Sequence, residues 1–247
     1  MKELLRAEGI SKTYEDGRHV LGDISITLNE GEIVSLLGVS GVGKTTLFNI
    51  MSGLIRPDSG SVTLDGEDII GKPGSLSYML QKDLLLPHLK VLDNVALPLF
   101  LNGTRKAEAR AKAASYFEQF GLTGTEDKYP VQLSGGMRQR AAFLRTYLCG
   151  RKVVLLDEPF GALDTITRSS MHDWYLKIMN EIKLSTILIT HDIDEAILLS
   201  DRIYIMKGTP AVISDEIRID EAKPRDPDFV LTEGFLKYKR QIKGLLL

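Results

Sequence analysis

A run of glycines, a lysine and a hydroxyl residue near the start of the chain has the composition of a phosphate-binding loop. Residues 38–45 read GVSGVGKT, which fits the pattern Gly, four residues, Gly-Lys, then Ser or Thr. Gly38, Gly41 and Gly43 allow positive φ and a close backbone approach, so that successive N–H groups can face an anion. The spacing predicts that Lys44 reaches the β- and γ-phosphates of a nucleotide and that the Thr45 hydroxyl binds Mg²⁺.

The elements on either side of this loop match what a phosphate loop needs. Residues 33–37, IVSLL, predict a buried parallel strand. Leu47, Ile50 and Met51 then recur at helical spacing, and Gly53 can end that helix. The helix N-terminus adds partial positive charge at the loop. The alternative, an ordinary Gly-rich turn, does not require a lysine and a hydroxyl at these offsets.

A second candidate phosphate cradle lies at residues 133–140, which read LSGGMRQR. Ser134 can cap the helix that follows, and Gly135 and Gly136 leave its first backbone N–H groups bare. One nucleotide does not need two such cradles. At this string the chain resembles the ATPase subunits of ATP-binding cassette (ABC) transporters, over about residues 1–215.

The resemblance implies how the two cradles share a nucleotide. In that family the second string is the signature motif, which closes on the nucleotide held by a partner copy. It implies that Ser134, Gly135 and Gly136 act in trans on ATP bound to the partner. It also implies nucleotide contacts by Ser40 and Thr46 of the phosphate loop.

Paired carboxylates follow a second apolar strand, at residues 153–159, VVLLDEP. This string is similar to the family's Walker B motif. Asp157 at the strand end suits Mg²⁺, and Glu158 is placed to accept a proton from an attacking water. The structural alternative is that the two carboxylates cap a helix.

Four further residues take predicted roles from the resemblance. Tyr14, at the end of the first strand, could stack on a base or cover the edge of its sheet, and the resemblance favours adenine stacking. Gln81 falls at the glutamine that the family places near Mg²⁺ and water. Asp164 falls in the dimer-contact loop and can also cap a helix. His191, which follows the strand at 186–190, matches the histidine that contacts the γ-phosphate.

The sequence predicts an α/β fold of the ABC ATPase type. It comprises a P-loop NTPase core with a mainly parallel sheet, an antiparallel β-lobe and an all-helical insert. We expect a nucleotide-binding domain over residues 1–220 with the insert at about 85–150, and a C-terminal tail at 221–247 that contains an amphipathic helix from Asp228. A helix is also predicted over 104–120, capped by Thr104 and largely solvated.

Composition limits the possible partners. The chain contains 31 Lys and Arg residues and 33 Asp and Glu residues, so its formal net charge is −2. This charge argues against nucleic-acid binding by bulk charge. A single cysteine, Cys149, excludes an internal disulfide and a cysteine metal cluster. No apolar stretch is long enough to span a bilayer, and residues 1–6 lack the apolar core of a signal peptide. We therefore expect a chain that reaches the cytoplasmic face of the membrane only through a partner.

The resemblance implies ATP and Mg²⁺ as cofactors and a homodimer, or a pair of ATPase subunits, on ATP binding. It also implies two membrane permease subunits and, indirectly, an extracytoplasmic solute-binding protein. The string at 156–165 followed by Arg168, and the tail at 224–229, look like the importer ATPases for nitrate, sulfonate and taurine. The apolar run Leu84–Leu86 predicts either burial or a surface that meets the permease. Rival interpretations are an ABC ATPase acting on nucleic acid or ribosomes, and a monomeric P-loop kinase or switch.

Overall fold

The centre of the molecule is a parallel sheet whose strands are buried on both faces. It contains β3 (Ile33–Leu37), β6 (Ser77–Met79), β7 (Val153–Asp157), β8 (Ser185–Thr190) and β9 (Arg202–Gly208), in the spatial order β9-β3-β8-β7-β6. Strands covered on both faces read as continuous apolar runs, as β3 and β7 do. The computed structural model describes residues 2–223, 225 and 227–246.

The carboxyl ends of four of these strands meet at one edge of the sheet. Leu37 at the end of β3 pairs with Thr190 of β8, Asp157 of β7 pairs with Ile189, and Met79 of β6 pairs with Leu156. The segments that follow these strands therefore open on a common edge, where ligands bind in parallel α/β sheets.

The antiparallel lobe continues the same sheet. It consists of β1 (Glu3–Thr13), β2 (His19–Asn29), β4 (Ser59–Leu64) and β5 (Glu67–Asp68), and β10 (Ala211–Arg218) joins it to β9, giving the order β5-β4-β1-β2-β10-β9. Ile24, Ile26 and Leu28 of β2 are buried, as their alternation predicts. The predicted fold class is confirmed, with core and lobe sharing one ten-stranded sheet.

Helix α1 (Lys44–Met51) begins directly at the phosphate loop and packs against both the parallel strands and the lobe. Leu47, Phe48, Ile50 and Met51 are fully buried in one apolar cluster with residues of both parts of the sheet. This packing fixes the N-terminus of α1 at the sheet edge, which is where the phosphate loop must stand.

The helical insert contains α2 (Val91–Leu101), α3 (Lys106–Ala114), a 3₁₀ turn (Pro130–Gln132) and α4 (Gly135–Tyr147). The predicted helix at 104–120 is too long. It ends at Ala114, after which Tyr116 and Phe117 donate backbone hydrogen bonds three residues back. Arg105 precedes the first helical residue without a side-chain cap, so Thr104 is not the cap. Buried Phe117 and Phe120 follow the helix, so this segment is not largely solvated.

The apolar run after β6 divides between core and surface. Leu85 is 7% exposed and belongs to the core cluster of the insert, whereas Leu84 is 52% exposed and has a φ of 45°. Leu86 is fixed by Asn94 of α2, whose side chain accepts a hydrogen bond from the Leu86 N–H and donates one to the Leu86 carbonyl oxygen. Of the two predicted outcomes, burial holds for Leu85 and exposure for Leu84.

Three helices complete the fold: α5 (Thr165–Ile182), α6 (Ile193–Leu199) and α7 (Glu233–Leu246). The predicted tail helix is interrupted, because residues Pro227–Leu231 form a 3₁₀ turn before α7. Arg225 binds the last carbonyl oxygens of α6, at 2.8 Å from Ile197 and 2.7 Å from Leu198. Two residues of the predicted tail pattern, 224 and 226, lie outside the described residues. Of the helices in the described ranges, none is both long and apolar enough to cross a bilayer.

Candidate active site

A polar cleft opens beside the phosphate loop, at the shared edge of the parallel strands. Eleven of the described residues line its volume of about 480 Å³: Tyr14, Arg18, Val20, Ser40, Gly41, Gly43, Lys44, Thr45, Thr46, Gln81 and Glu158. Nine of these were predicted from the sequence as site residues. They come from the loop before β2, the phosphate loop and the segments after β6 and β7, which the sheet topology brings together.

The glycines of the loop serve two different purposes. Gly41 and Gly43 have φ values of 80° and 118°, which lie in the region that favours glycine. Gly38 does not have positive φ, so that part of the prediction is wrong. Instead, a Cβ at Gly38 would lie 2.4 Å from the backbone oxygen of Met206 on β9. Gly38 is therefore required by close packing of the loop on the neighbouring strand.

Lys44, the first residue of α1, lies inside the curve of the loop. Its ammonium group donates to the carbonyl oxygens of Gly38 at 2.7 Å and Val39 at 3.0 Å. Burial lowers the pKa of this amine, and the nearby carboxylates of Glu158 and Asp157 oppose that shift. The arrangement holds a cation at the mouth of the loop, where it favours a negatively charged ligand.

Thr45 and Asp157 form an oxygen-rich pair at the base of the cleft. The Thr45 hydroxyl donates to Asp157 Oδ2 at 3.0 Å, and the Tyr78 hydroxyl donates to the same oxygen at 3.4 Å. Burial raises the pKa of Asp157, while the Thr45 hydrogen bond opposes the rise. A nearby cation would offset the cost of this buried carboxylate, and hydroxyl and carboxylate oxygens are the ligands that Mg²⁺ prefers.

Glu158 follows β7 in an unusual backbone conformation. Its φ is 45°, and its N–H donates to the Ile189 carbonyl oxygen of β8 at 3.0 Å. Such outliers persist where the surrounding structure holds them, and they occur often at functional sites. One carboxylate oxygen, Oε2, accepts from Gln81 Nε2 at 3.2 Å and lies 3.3 Å from His191 Nδ1. Three predicted catalytic side chains therefore meet at one oxygen atom.

Tyr14 closes the side of the cleft nearest the lobe. Its hydroxyl lies 3.2 Å from the hydroxyl of Thr46 on α1, and the guanidinium of Arg18 lies 5.7 Å from its ring centre. Sequence reasoning missed Arg18, Val20 and Tyr78. Arg18 lies in the loop between β1 and β2, which has no periodic signal. Val20 in β2 and Tyr78 in β6 have the pattern of ordinary strand residues, and only the structure shows their contact with the site.

The signature segment does not reach this cleft within one chain. Ser134 caps α4 through a hydrogen bond from the Met137 N–H at 3.3 Å, and Asp164 caps α5 through one from the Thr167 N–H at 3.0 Å. Both capping predictions are confirmed. Among the described residues lining the cleft, Ser134–Gly136 and Asp164 are absent. The second cradle therefore lies outside the first one's cleft, with Ser134 exposed, Gly135 partly exposed and Gly136 buried.

Comparison with known proteins agrees with this geometry. The family model described as ABC transporter matches residues 21–161. The formylaminopyrimidine import ATP-binding protein ThiZ of Halalkalibacterium halodurans is 43% identical, with 100% of this chain and 98% of the relative covered. The taurine import ATP-binding protein TauB of Pseudomonas aeruginosa is 40% identical, with 89% and 84% covered.

A solved structure extends the comparison to three dimensions. An ATP-binding cassette in a dimeric, post-hydrolysis state bound to ADP and Pi superposes with a TM-score of 0.76 at 28% identity, covering 89% of this chain and 100% of that one. Phosphate loop, Walker B carboxylates and signature segment thus occur together in a chain that matches such cassettes over most of its length. The chain belongs to the ABC transporter family, as one of its ATP-binding, ATP-hydrolysing cassettes.

Proposed function

We propose that this chain hydrolyses ATP as one of a pair of cassettes and thereby drives import of a small solute through separate membrane permease subunits. One observation carries the proposal: Lys44, Thr45 and Glu158 line one cleft, whereas the second phosphate cradle, Ser134–Gly136, lies outside it. Each cradle supplies half of a site, so two chains facing each other head to tail complete two equivalent sites.

ATP binding rests on the loop and the lobe. The backbone N–H groups of residues 40–45 and the Lys44 ammonium would hold the phosphates, as the concave, cationic loop favours. The ring of Tyr14 would stack on adenine, with Ser40 and Thr46 contacting the nucleotide beside it. Lys44 would exchange its present bonds to the loop carbonyls for bonds to phosphate oxygens.

Mg²⁺ fits the oxygen donors of the cleft. The Thr45 hydroxyl and Asp157 Oδ2 are 3.0 Å apart and would hold the ion together with Gln81, which also lines the cleft. Across the described residues, no group of three or more His, Cys, Asp or Glu side chains could hold a metal ion without further ligands. When bound, Mg²⁺ supplies charge neutralisation for the phosphates.

For hydrolysis, the segments after β6, β7 and β8 provide a base and two orienting groups. Glu158 would accept a proton from the water that attacks the γ-phosphate, while Gln81 and His191 orient the carboxylate and the water. In the present structure both contact Glu158 Oε2, and His191 has an exposed side chain that can turn toward the nucleotide. Catalysis of this type is mainly positioning and charge stabilisation, so half a site is expected to be nearly inert.

The relatives support the proposal of membrane partners but do not identify the solute. ThiZ and TauB are import ATP-binding proteins. For this chain we therefore propose permease subunits, an extracytoplasmic solute-binding protein acting through them, and a peripheral place on the cytoplasmic face of the membrane. ThiZ and TauB are 43% and 40% identical to this chain, yet a formylaminopyrimidine and taurine are chemically different solutes. Similarity of the cassette therefore does not select the solute. Residues 1–220 would form the cassette, with the insert at about 85–150, and 221–247 a tail.

Mixing two defective chains tests the head-to-tail arrangement. The Lys44→Ala chain lacks the lysine of the phosphate loop, and the Ser134→Arg chain blocks the signature cradle. In the mixed dimer one site carries both defects and the other carries neither. We expect each variant alone to be nearly inactive in ATP hydrolysis and the mixture to regain part of the wild-type rate. Full activity of Ser134→Arg alone, or no gain on mixing two folded variants, would contradict the proposal.

A further inference from the structure

One face of α5 contacts both segments that carry the catalytic side chains. The ring of His172 packs edge-on against Phe160, with ring centres 4.9 Å apart, and its Nε2 lies 2.8 Å from Glu195 Oε1. Phe160 follows Glu158 by two residues, and Glu195 follows His191 by four. A single side chain therefore touches the continuation of β7 and the continuation of β8.

The contact between His172 and Glu195 is largely shielded from solvent and well anchored. Their side chains are 12% and 5% exposed, so the hydrogen bond lies in a region of low dielectric. Glu195 stands in the first turn of α6, where Asp192 accepts hydrogen bonds from the N–H groups of Asp194 at 2.8 Å and Glu195 at 3.1 Å. His172 thus fixes the very turn that begins one residue after His191.

Arg168 repeats this pattern one turn earlier on the same face of α5. Its guanidinium donates to the Leu163 carbonyl oxygen at 2.9 Å, in the segment after Glu158, and lies 3.7 Å from Asp192 Oδ2, in the segment after His191. Two residues four positions apart therefore each bridge the same two segments. Such a repeat indicates a clamp that sets one segment relative to the other.

The distance that this clamp controls is that between Glu158 and His191. Their side chains are 3.3 Å apart across the gap between two neighbouring strand ends, and the His191 side chain is half-exposed. Misplacement of reacting groups by about 1 Å can reduce rates by about 100-fold, so the relative position of the two segments bears directly on turnover.

We propose that His172 and Glu195 form a buried hydrogen-bonded bridge that positions His191 relative to Glu158 during ATP hydrolysis. The proposal rests on the roles proposed above for those two residues. His172 lies away from the nucleotide cleft, and it acts on the reaction only through the two segments it holds. Both members of the bridge are positioning residues for the ATPase reaction.

Two substitutions of His172 separate its hydrogen bond from its packing. His172→Phe keeps a ring against Phe160 and removes the hydrogen bond, whereas His172→Gln keeps a group that can donate to Glu195 and removes the ring. With the full-length chain, we expect His172→Phe to lower kcat about 10-fold or more with an unchanged Kd for ATP, and His172→Gln to retain most of the wild-type kcat. Equal kcat for wild type and His172→Phe would overturn the proposal.

A double variant removes the concern that His172→Phe merely destabilises the fold. Replacing both polar partners by apolar groups can be nearly neutral for stability, because no buried charge is left alone. His172→Phe with Glu195→Leu should therefore unfold near the wild-type temperature and bind ATP with full stoichiometry, yet remain slow. Recovery of wild-type kcat in this double variant would show that the bridge is dispensable and would refute the proposal.

Glu158→Gln distinguishes failure of this inference from failure of the proposed function. If Glu158→Gln is inactive while His172→Phe is as active as wild type, the site assignment stands and the bridge is wrong. If Glu158→Gln hydrolyses ATP normally, the proposed base itself is wrong, and the bridge loses the basis on which it was inferred.

Discussion

Lys44→Met gives the most quantitative test of how the loop binds ATP, because methionine keeps the length of the side chain and removes only its charge. In the free chain the lysine makes two hydrogen bonds to loop carbonyls, at 2.7 Å and 3.0 Å, and burial lowers its pKa. Loss of those two hydrogen bonds should lower the stability of the fold, whereas removal of a buried cation should raise it. We therefore expect the unfolding temperature of the ATP-free protein to change little.

The effect on ATP binding should be much larger. A hydrogen bond to a charged group contributes about 1.5–3 kcal/mol, and each 1.4 kcal/mol corresponds to a factor of ten in Kd. One lost lysine–phosphate bond therefore predicts about 10- to 150-fold weaker ATP binding. AMP, which lacks the β- and γ-phosphates, should bind wild type and variant equally.

The assay is calorimetric titration of ATP and AMP into the full-length chain at fixed salt. Lys112→Met is the matched control, because Lys112 is exposed on α3 and does not line the cleft. It should bind both nucleotides as wild type does. If Lys44→Met binds ATP as tightly as wild type, or loses AMP binding equally, the lysine does not hold the outer phosphates and the reasoning fails.

Three further predictions follow from single contacts. Gly38→Ala brings a Cβ 2.4 Å from the Met206 backbone oxygen, so it should cost about 1–3 kcal/mol of stability and weaken ATP binding. Thermal unfolding and ATP titration check this, and a wild-type unfolding temperature together with a wild-type Kd for ATP would contradict it. Leu84→Asn, which tolerates the left-handed φ, should reduce permease pull-down without changing ATP affinity; undiminished pull-down would exclude Leu84 from the contact. Burial lowers the pKa of Lys223 to about 8, although the Asp201 carboxylate partly opposes this shift. Between pH 8 and 10.5 the folded chain therefore binds fewer protons than the unfolded chain, so the free energy of unfolding should rise with pH. Lys223→Met should lack this rise in denaturant unfolding, and parallel pH profiles of variant and wild type would contradict the prediction.

Local patterns predicted the elements that carry the site. The phosphate loop, the Walker B strand and the strand before His191 each combine a short apolar run with polar residues at its end, and the structure places all three at one sheet edge. The caps at Ser134 and Asp164 were also predictable, since a capping side chain bonds to N–H groups two or three residues away. Such information is contained in a few adjacent residues.

Other features depend on contacts between residues far apart in the chain. The division between buried Leu85 and exposed Leu84 has no periodic signature, because the segment is irregular and Asn94 of α2 sets its course. Ile166 is apolar, yet it is 85% exposed in the first turn of α5, because no other element covers that turn's outer face in the described part of the chain. The need for glycine at position 38 arises from β9, about 170 residues away. No local pattern could have shown these contacts.

The early end of α3 has a similar origin. Good helix formers continue past Ala114, but Phe117 and Phe120 are drawn into the core of the insert, where they pack beside α4 and α5. Burial of two aromatic side chains outweighs a few tenths of a kcal/mol of helix propensity per residue.

The most direct test of the proposed hydrolysis site compares ATP binding and ATP turnover in Glu158→Gln, measured on the same full-length sample. The amide keeps the size of the side chain and its contact with Gln81, but it cannot accept the proton from water. A positioned base contributes about 100- to 10,000-fold, so we predict wild-type ATP affinity and a loss of turnover of that order. ATP hydrolysis by Glu158→Gln at the wild-type rate would contradict the account.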